Sequence, residues 1–354
     1  MTDVTAVHRA LAELLTDVHR RRAWKADPAK YSRAAVAGAG SHVIAALEPD
    51  RVEAAALNLD LRRVTKPAAA QPNSPDVGFA CPSRNVNRWP VPDRARIGLG
   101  FWPDLYINFE ESDLLQVWEH RVDDYLYDVR LLDELASRGP VVMHSVGLSL
   151  GSSTAATCPE HLERIGRALL AAGVAELSDH LAFSRIGDIA LEHFIPVWRV
   201  EEALRIVTDN VNRIQDTLGI RLAVENIAPI VDLGGDLTVA EFLNAMVQRT
   251  GCGVLLDISN LMLCAANGFC DASSELETLD LDAVIGVHLA GGEQVDGIRF
   301  DAHAFGVADA DLASLARLMP RMPNCRSVII ERDARRGEID EIRQDLRALQ
   351  GALG

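Results

Sequence analysis

From residue 96 onward, short apolar runs alternate with longer amphipathic segments. Apolar runs rich in Val, Ile and Leu are typical of buried parallel strands, and apolar positions at i, i+3, i+4 and i+7 predict helices. Strands are predicted at Arg96–Phe101, Leu105–Glu110, Val141–Val146, Ala175–Ala182, Arg221–Glu225, Val254–Ile258, Val284–Leu289 and Ser327–Glu331. Helices are predicted between most of them, over 114–137, 159–172, 200–218, 238–250, 309–319 and 338–350. This alternation predicts an α/β fold, a (β/α)8 TIM barrel.

The first β/α unit does not fit this rhythm. Only a few residues separate the first predicted strand, Arg96–Phe101, from the second, Leu105–Glu110. Either the first helix is missing, or the first strand of the barrel lies earlier, near Asp76–Ala80.

The N-terminal region has a helical pattern. Leu11, Leu14, Leu15 and Val18 fall on one face of a predicted helix, and further helices are predicted over 31–47 and 51–61. Six prolines between residues 67 and 92 then predict an extended linker. The chain divides into a helical N-terminal module (1–65), a Pro-rich linker (66–95) and the barrel (96–354). The module either packs on the barrel or holds a substrate or partner peptide.

Composition excludes several classes of function. The 354 residues carry 51 acidic and 35 basic side chains, a net charge of −16, which argues against a nucleic-acid partner. No apolar run approaches the roughly 20 residues that span a bilayer, and the N-terminus lacks a secretory signal. The six cysteines show no Cys-x-x-Cys spacing, so neither a zinc clip nor a disulfide framework is indicated. We expect a cytoplasmic protein with no membrane partner.

Acidic and imidazole side chains follow the ends of the predicted strands. In a parallel barrel these ends meet at one rim, where TIM barrels carry their chemistry. A buried carboxylate is costly unless it is paired, hydrogen-bonded or bound to metal, and Lys is absent from all of these strand ends. A shared cation site is therefore predicted. The candidate ligands are His144, His180, Glu225, Asp257, His288, Asp301, His303 and Glu331.

This set is larger than one ion needs. A catalytic ion usually takes three or four protein ligands, so two or three ions are implied. Mixed nitrogen and oxygen ligands suit Fe, Mn or Zn, and ligand type alone does not choose between them. Asp179, Asn226 and Asp333 are candidates to hold the second ring nitrogen of a ligand histidine, or are ordinary turn residues. We take Asp179 and Asn226 as candidate catalytic residues.

Two further patterns bear on the site. The glycine-bearing segment after His144, residues 145–152, either cradles an anion or forms a tight turn. Nucleotide-binding glycine motifs and the serine-hydrolase elbow are absent, so no nucleotide cofactor is predicted. The remaining histidines, at 8, 19, 42, 120, 161 and 193, lie in helical or loop contexts and are expected to be solvated.

Seven of these motifs occur in the order that characterises a known family. They are His-Ser-Val-Gly-Leu-Ser-Leu-Gly-Ser (144–152), Ser-Asp-His-Leu-Ala-Phe-Ser (178–184), Glu-Asn (225–226), Leu-Leu-Asp-Ile-Ser-Asn (255–260), His-Leu-Ala-Gly (288–291), Asp-Ala-His (301–303) and Glu-Arg-Asp (331–333). From residue 97 to about 345 the chain resembles the DUF692 proteins. These are the multinuclear non-haem iron-dependent oxidative enzymes, which include the catalytic subunit of methanobactin biosynthesis.

The resemblance implies a TIM barrel that holds two or three irons, cycling between Fe(II) and Fe(III), and uses O2 to modify a ribosomally made precursor peptide, often at Cys. A separate protein that captures the leader peptide is a common partner in the family. By resemblance the iron ligands are His144, His180, Glu225, Asp257, Asn260, His288, Asp301, His303 and Glu331. The shortened first unit and the helical N-terminal region depart from the family pattern, and the helical region would fit a fused leader-binding module.

Two other functions remain open on the sequence. One is a redox-neutral metalloenzyme of the xylose-isomerase type, an isomerase or a hydrolase, with Zn or Mn in place of iron. The other is a binding protein in which metal only stabilises the barrel while the helical module holds a partner.

Overall fold

The computed structural model describes residues 4–36, 40–56, 92–152, 159–186 and 189–354. Its strands are β1 (Arg96–Gly100), β2 (Val117–Arg121), β3 (Val141–His144), β4 (Glu176–His180), β5 (Ala182–Ile186), β6 (Ile189–Pro196), β7 (Arg221–Glu225), β8 (Gly253–Asp257), β9 (Val284–Val295), β10 (Ile298–Phe305) and β11 (Ser327–Glu331).

Parallel pairing in the described residues closes a barrel. The order runs β1-β2-β3-β4-β7-β8-β9-β11, and β11 pairs with β1 to complete the circle. Strands β3, β7, β8, β9 and β11 are rich in buried Val, Ile and Leu, as strands covered on both faces require. The predicted (β/α)8 TIM barrel is confirmed.

The remaining strands form two antiparallel hairpins at the carboxyl ends of the barrel strands. β5 pairs with β6 directly after β4. β9 continues past the barrel and pairs with β10, which returns over the same end. The second hairpin therefore brings Asp301 and His303, both in β10, to the rim where the barrel strands end.

Helices surround the barrel and bury one face each. Helices α1 to α5 belong to the N-terminal region and are described below. The helices around the barrel are α6 (Pro103–Phe109), α7 (Arg130–Arg138), α8 (Pro159–Ala172), α9 (Glu201–Leu218), α10 (Val239–Thr250), α11 (Ile258–Ala266), α12 (Ala272–Thr278), α13 (Asp309–Leu318) and α14 (Ile339–Leu353). In α9 the buried residues include Leu204, Val207, Val211 and Ile214, a helical stripe that faces the strands. Thr238 and Glu241 form a capping box that starts α10.

The first β/α unit is complete, which corrects two predictions. The predicted strand Leu105–Glu110 is helix α6, because Pro103 favours the first helical turn and Leu105 and Phe109 bury at i, i+4 spacing. The predicted helix over 114–137 contains strand β2, a 3₁₀ turn and then α7. The barrel closes with β1 as its first strand, and the alternative position at 76–80 lies outside the described residues.

The N-terminal region is helical as predicted, with different boundaries. Its helices are α1 (Val4–Thr16), α2 (Val18–Ala26), α3 (Pro28–Ala35), α4 (Gly40–Ala45) and α5 (49–56). Asp17 caps α2 and ends the first apolar stripe, so Val18 is 42% exposed while Leu11, Leu14 and Leu15 are buried. The predicted helix over 31–47 is two helices. Residues 57–91, most of the predicted linker, lie outside the described residues.

His8 and Arg51 connect these helices to the rest of the chain. The His8 ring stacks on Phe183 with centroids 4.5 Å apart, and its Nε2 accepts the Trp198 backbone N–H at 3.0 Å. Arg51 donates to the carbonyl of Asn267 at 2.7 Å. His8 and His120 are both 1% exposed, so the prediction that they are solvated is wrong. Phe183 packs on His8 from a distant segment, and Phe101 and Tyr125 pack on His120 from nearby ones. Among the described residues, no helix is long and apolar enough to cross a membrane.

Candidate metal centre

The last residue of five barrel strands turns its side chain into one buried space. These residues are His144, His180, Glu225, Asp257 and Glu331, and His288 joins them from within β9. Parallel pairing sets them side by side: His180 is opposite Glu225, and Asp257 is opposite His288. The convergence predicted from the sequence is therefore present in the fold.

A first group of possible ligands consists of His144, His180 and Glu225, whose donor atoms all lie within 4.8 Å of one another. Nε2 of His144 is 3.7 Å and Nε2 of His180 is 3.4 Å from Glu225 Oε2. The far nitrogen of His144 is 2.8 Å from the Ser178 hydroxyl. The His180 ring stacks on Phe194 at 3.6 Å. Both imidazoles are thus held with Nε2 towards the same carboxylate oxygen.

A second group consists of Glu225, Asp257, His288 and Glu331, again within 4.8 Å of one another. Nδ1 of His288 is 3.2 Å from Glu225 Oε1 and 3.1 Å from Glu331 Oε2. Glu225 belongs to both groups, with Oε2 towards the first and Oε1 towards the second. A carboxylate in this position can bridge two neighbouring cations.

The β9–β10 hairpin adds a third set of donors. Nε2 of His303 is 2.8 Å from Asp301 Oδ1 and 3.5 Å from Glu331 Oε2, so this set touches the second group through Glu331. Asp333 Oδ2 lies 3.1 Å from Nδ1 of His303, the role predicted for it. His303 has φ of 49°, a left-handed conformation that costs energy for a residue other than glycine. Its carbonyl accepts the N–H groups of Asp333 and Ala334, which hold that conformation.

Several buried oxygens at the site have no hydrogen-bond partner within the part of the chain that the structure describes. They are Glu225 Oε2, Asp257 Oδ2 and Asn260 Oδ1. Asp257 Oδ1, by contrast, accepts the Asn260 N–H at 2.7 Å and caps α11. Unpaired buried oxygens are costly, and a bound cation satisfies them. The donor set, carboxylate and imidazole without thiolate, fits Fe, Mn or Zn.

The electrostatics of the site also fit a cation. Burial lowers the pKa of His288, but the charges of Glu119, Glu331 and Glu225 outweigh burial and hold that pKa well above its ordinary value. Burial, followed by the charges of Glu225 and Asp301, raises the pKa of Asp257 well above its ordinary value. Without a cation, protons on Asp257 and His288 therefore offset part of the negative charge of this cluster. Metal ions displace such protons when they bind.

Glu119 is a site residue that sequence reasoning missed. Its Oε2 lies 2.8 Å from Nε2 of His288, and its side chain is 6% exposed. Glu119 lies in β2, within the segment predicted as a helix, so its strand position was hidden. The available signal was weak, because Val117 and Glu119 share one face of the strand but the segment has no clear apolar and polar alternation.

The other predicted site residues have structural partners. Asp179 accepts the Leu148 N–H at 2.9 Å and lies 3.7 Å from His180 Nδ1. Asn226 exchanges two hydrogen bonds with the backbone of Asp257 and not with a histidine ring. The loop after His144 presents its Val146 and Leu148 amides to the carboxylates of Asp123 and Asp179. Because these two amides already donate to side chains of the protein, they are not free to bind an anion. The loop is a tight turn, and the anion-cradle interpretation is wrong for Val146 and Leu148.

Sequence comparisons identify relatives of this chain. A UPF0276 protein of Streptomyces avermitilis is 34% identical over 274 residues, 72% of this chain and 54% of that protein. A UPF0276 protein of Caulobacter vibrioides is 29% identical over 256 residues, 70% of this chain and 91% of that protein. The chain thus spans about half the length of the Streptomyces relative.

The chain also resembles a solved structure and a family of enzymes. A putative xylose isomerase from Rhodospirillum rubrum superposes with a TM-score of 0.51 at 15% identity, covering 73% of this chain and 99% of that one, a likeness of fold alone. The sequence model of the RiPP precursor modification enzymes MbnB/TglH/ChrH, which act on ribosomally made peptides, matches residues 96–353. With a match over more than half of its length, together with these relatives, the chain belongs to the MbnB/TglH/ChrH family of RiPP precursor modification enzymes.

Proposed function

We propose that this chain is a multinuclear iron-dependent oxidase that uses O2 to modify a ribosomally synthesised precursor peptide, at a cysteine. The observation that carries the proposal is the pair of ligand groups that share Glu225. One ion would be held by His144, His180 and Glu225. A neighbouring ion would be held by Glu225, Asp257, His288 and Glu331. Two neighbouring ion sites that share Glu225 would suit a reaction in which substrate and co-substrate bind side by side.

A third ion would use the hairpin. Asp301 and His303 provide its donors, and Glu331 Oε2, 3.5 Å from His303 Nε2, connects it to the second group. Asn260, with its buried Oδ1 unpaired, is a further ligand from the start of α11. Iron supplies redox chemistry and O2 activation when bound.

The protein residues have separate tasks around the ions. Ser178 fixes the orientation of the His144 ring, Glu119 that of His288, and Asp333 that of His303. Fixing the far nitrogen of a ligand histidine sets its tautomer and raises its basicity. Asp179 and Asn226 would act through other residues. Asp179 lies 3.7 Å from Nδ1 of His180, and Asn226 donates to the Asp257 carbonyl and so connects the ends of β7 and β8.

The thiol in this proposal comes from the substrate. Of the four cysteines in the described residues, none belongs to either ligand group. The protein offers only nitrogen and oxygen donors in these groups, so a soft sulfur ligand would come from the peptide. Metal binding favours the deprotonated form of a thiol. Cysteines without a disulfide framework also fit the cytoplasm as the place of reaction.

We further propose that residues 1–65 are a helical module that helps to present the peptide, alone or with a separate leader-binding protein. The module lies against the β5–β6 hairpin through His8 and Phe183. That hairpin follows directly from His180, whose ring stacks on Phe194 of β6. Peptide held on the module would therefore lie near the rim. Residues 66–95 would then be the linker to the barrel domain, 96–354.

The test combines metal analysis with an oxygen requirement. Protein purified without oxygen is expected to contain two or more irons per chain. Incubated with the peptide encoded beside its gene, the ferrous protein should change the peptide mass only when O2 is present. Glu225→Gln should abolish the change, and Glu277→Gln, an exposed glutamate, should not. Equal modification without O2, or with zinc in place of iron, would overturn the oxidase and favour a redox-neutral metalloenzyme.

A further inference from the structure

A cavity of about 110 Å³ lies inside the barrel, below the layer of possible metal ligands. Its outer end is at the amino ends of the strands, beside Arg96, Glu176 and Arg326. Its inner end reaches Glu119 and Ser178. Because these two residues hydrogen-bond His288 and His144, the cavity ends directly behind the metal centre, on the side opposite the rim.

The cavity exists because small residues replace the usual filling of the barrel. TIM barrels normally pack their interior with layers of Val, Ile and Leu. Here the lining includes Ser178, Ala223, Gly286 and Ser327. Ala223, Leu255 and Ile285 form a small apolar cluster that is separate from the main core.

The middle of the cavity is suited to a small apolar molecule. Its wall there includes the side chains of Val117, Val142, Leu255 and Ile285, which offer water no hydrogen-bond partner. Apolar cavities of roughly 150 Å³ stay dry and bind xenon. An ion pair between Arg326 and Glu176 lies at the outer end, and both side chains are 31% exposed, so solvent meets the cavity at this point.

We propose that this cavity stores O2 and admits it to the metal centre from the amino end of the barrel. The proposal rests on the proposed function, which makes O2 a co-substrate. A peptide bound over the rim, beneath the β9–β10 hairpin, would cover the other side of the centre. A separate path lets the gas reach the centre while the peptide is in place.

Xenon binding tests the cavity without any turnover. In protein with labelled Ile and Leu methyl groups, xenon pressure should shift the methyl resonances of Ile285 and Leu255. Ala223→Leu, which fills the cavity, should reduce these shifts at least fivefold. Ala313→Leu, the same change at an exposed site on α13, should leave them intact. If the Leu variant does not fold, Ala223→Val is the milder replacement. Absent shifts, or shifts equal in the filled variant, would overturn the gas site and indicate a water-filled cavity.

Oxygen kinetics test the path. With iron and peptide bound, Ala223→Leu should raise the KM for O2 at least fivefold and leave kcat at saturating O2 and the iron content unchanged. An unchanged KM in a variant that has lost its xenon shifts would overturn the path. If the unaltered protein binds xenon but consumes no O2 with iron and peptide bound, the proposed function is wrong. The cavity then binds small gases but has no role in O2 delivery.

Discussion

Glu119 Oε2 lies 2.8 Å from Nε2 of His288, deep in the barrel, while Nδ1 of the same ring faces Glu225 and Glu331. The imidazole therefore has one nitrogen for a metal and one for a carboxylate. This arrangement, in which a carboxylate holds the ring of a ligand histidine, makes Glu119 a positioning residue for the second group of ligands.

Replacement of Glu119 should weaken metal binding. Glu119→Ala leaves Nε2 of His288 without its buried partner, and loss of such a partner typically costs about 10–100-fold in metal affinity. Competition with a chromophoric chelator measures the affinity. Glu277→Gln is the exposed control. Unchanged affinity for every ion in Glu119→Ala would show that Glu119 does not position His288.

Replacement of His303 should remove one ion and spare the fold. His303 lies on the hairpin outside the barrel, so His303→Ala is expected to lower the metal content by about one ion per chain, given the three or four ligands that an ion takes. Elemental analysis gives the content, and circular dichroism checks the fold. His19→Ala, at an exposed position on α2, should bind the full complement. Full metal content in His303→Ala would exclude His303 as a ligand.

His8 should make stability depend on pH. Burial lowers the pKa of His8 to about 3, although a backbone hydrogen bond with Gly151 opposes the shift. In the unfolded chain His8 has an ordinary pKa near 6.5 and takes up a proton at a pH where folded His8 stays neutral. The contribution of His8 to the free energy of unfolding is therefore fully present above about pH 6.5 and is lost as the pH falls towards 3.

The size of this effect can be measured. Between pH 7.5 and 5.5, His8 should lower the free energy of unfolding by about 1.4 kcal/mol, one pH unit of linkage. Urea unfolding at both values should show that His8→Gln, which does not titrate, loses this part of the pH dependence. His19→Gln should retain it. An identical pH dependence in His8→Gln would contradict the assignment.

Arg332 should be needed for the stability of the hairpin. Its guanidinium is fully buried and donates to Ala304 O at 2.8 Å, Glu341 at 2.6 Å and Asp345 at 3.0 Å. Arg332→Met leaves the Asp345 carboxylate buried without its partner, and breaking a buried pair in this way costs about 3–5 kcal/mol.

Thermal or urea unfolding gives the loss of stability in Arg332→Met. Arg317→Met, at an exposed position, should change the free energy of unfolding by less than about 0.5 kcal/mol. Because Ala304 follows His303, proteolysis within β10 should also become faster in Arg332→Met. Equal stability of the two variants would mean that the surrounding structure compensates for the lost cation.

Where the apolar run of a strand is unbroken, the local sequence was enough to predict the strand. Glu225 and Asp257 each end an apolar strand, and a charged residue in that place predicts a site at the carboxyl rim of a barrel. The same reasoning located His144 and His180. Strand β2 was not predicted in this way. Its five residues include Trp, Glu, His and Arg, and their alternation is too weak to favour a strand over a helix.

Distances between remote segments belong to the tertiary structure. His8 looks like a solvated helix residue, and only the approach of Trp198, 190 positions away, buries it. The pairing of Glu119 with His288 spans 169 positions, and the under-filled barrel interior depends on side chains from many strands at once. The sequence by itself determined the barrel strands other than β2, the helical N-terminal region and the residue types at the rim, because periodicity and strand ends are local. Only the tertiary structure decided that Glu225 is shared by both ligand groups and that a cavity remains inside the barrel. Both features depend on how strands that are distant in sequence pack together.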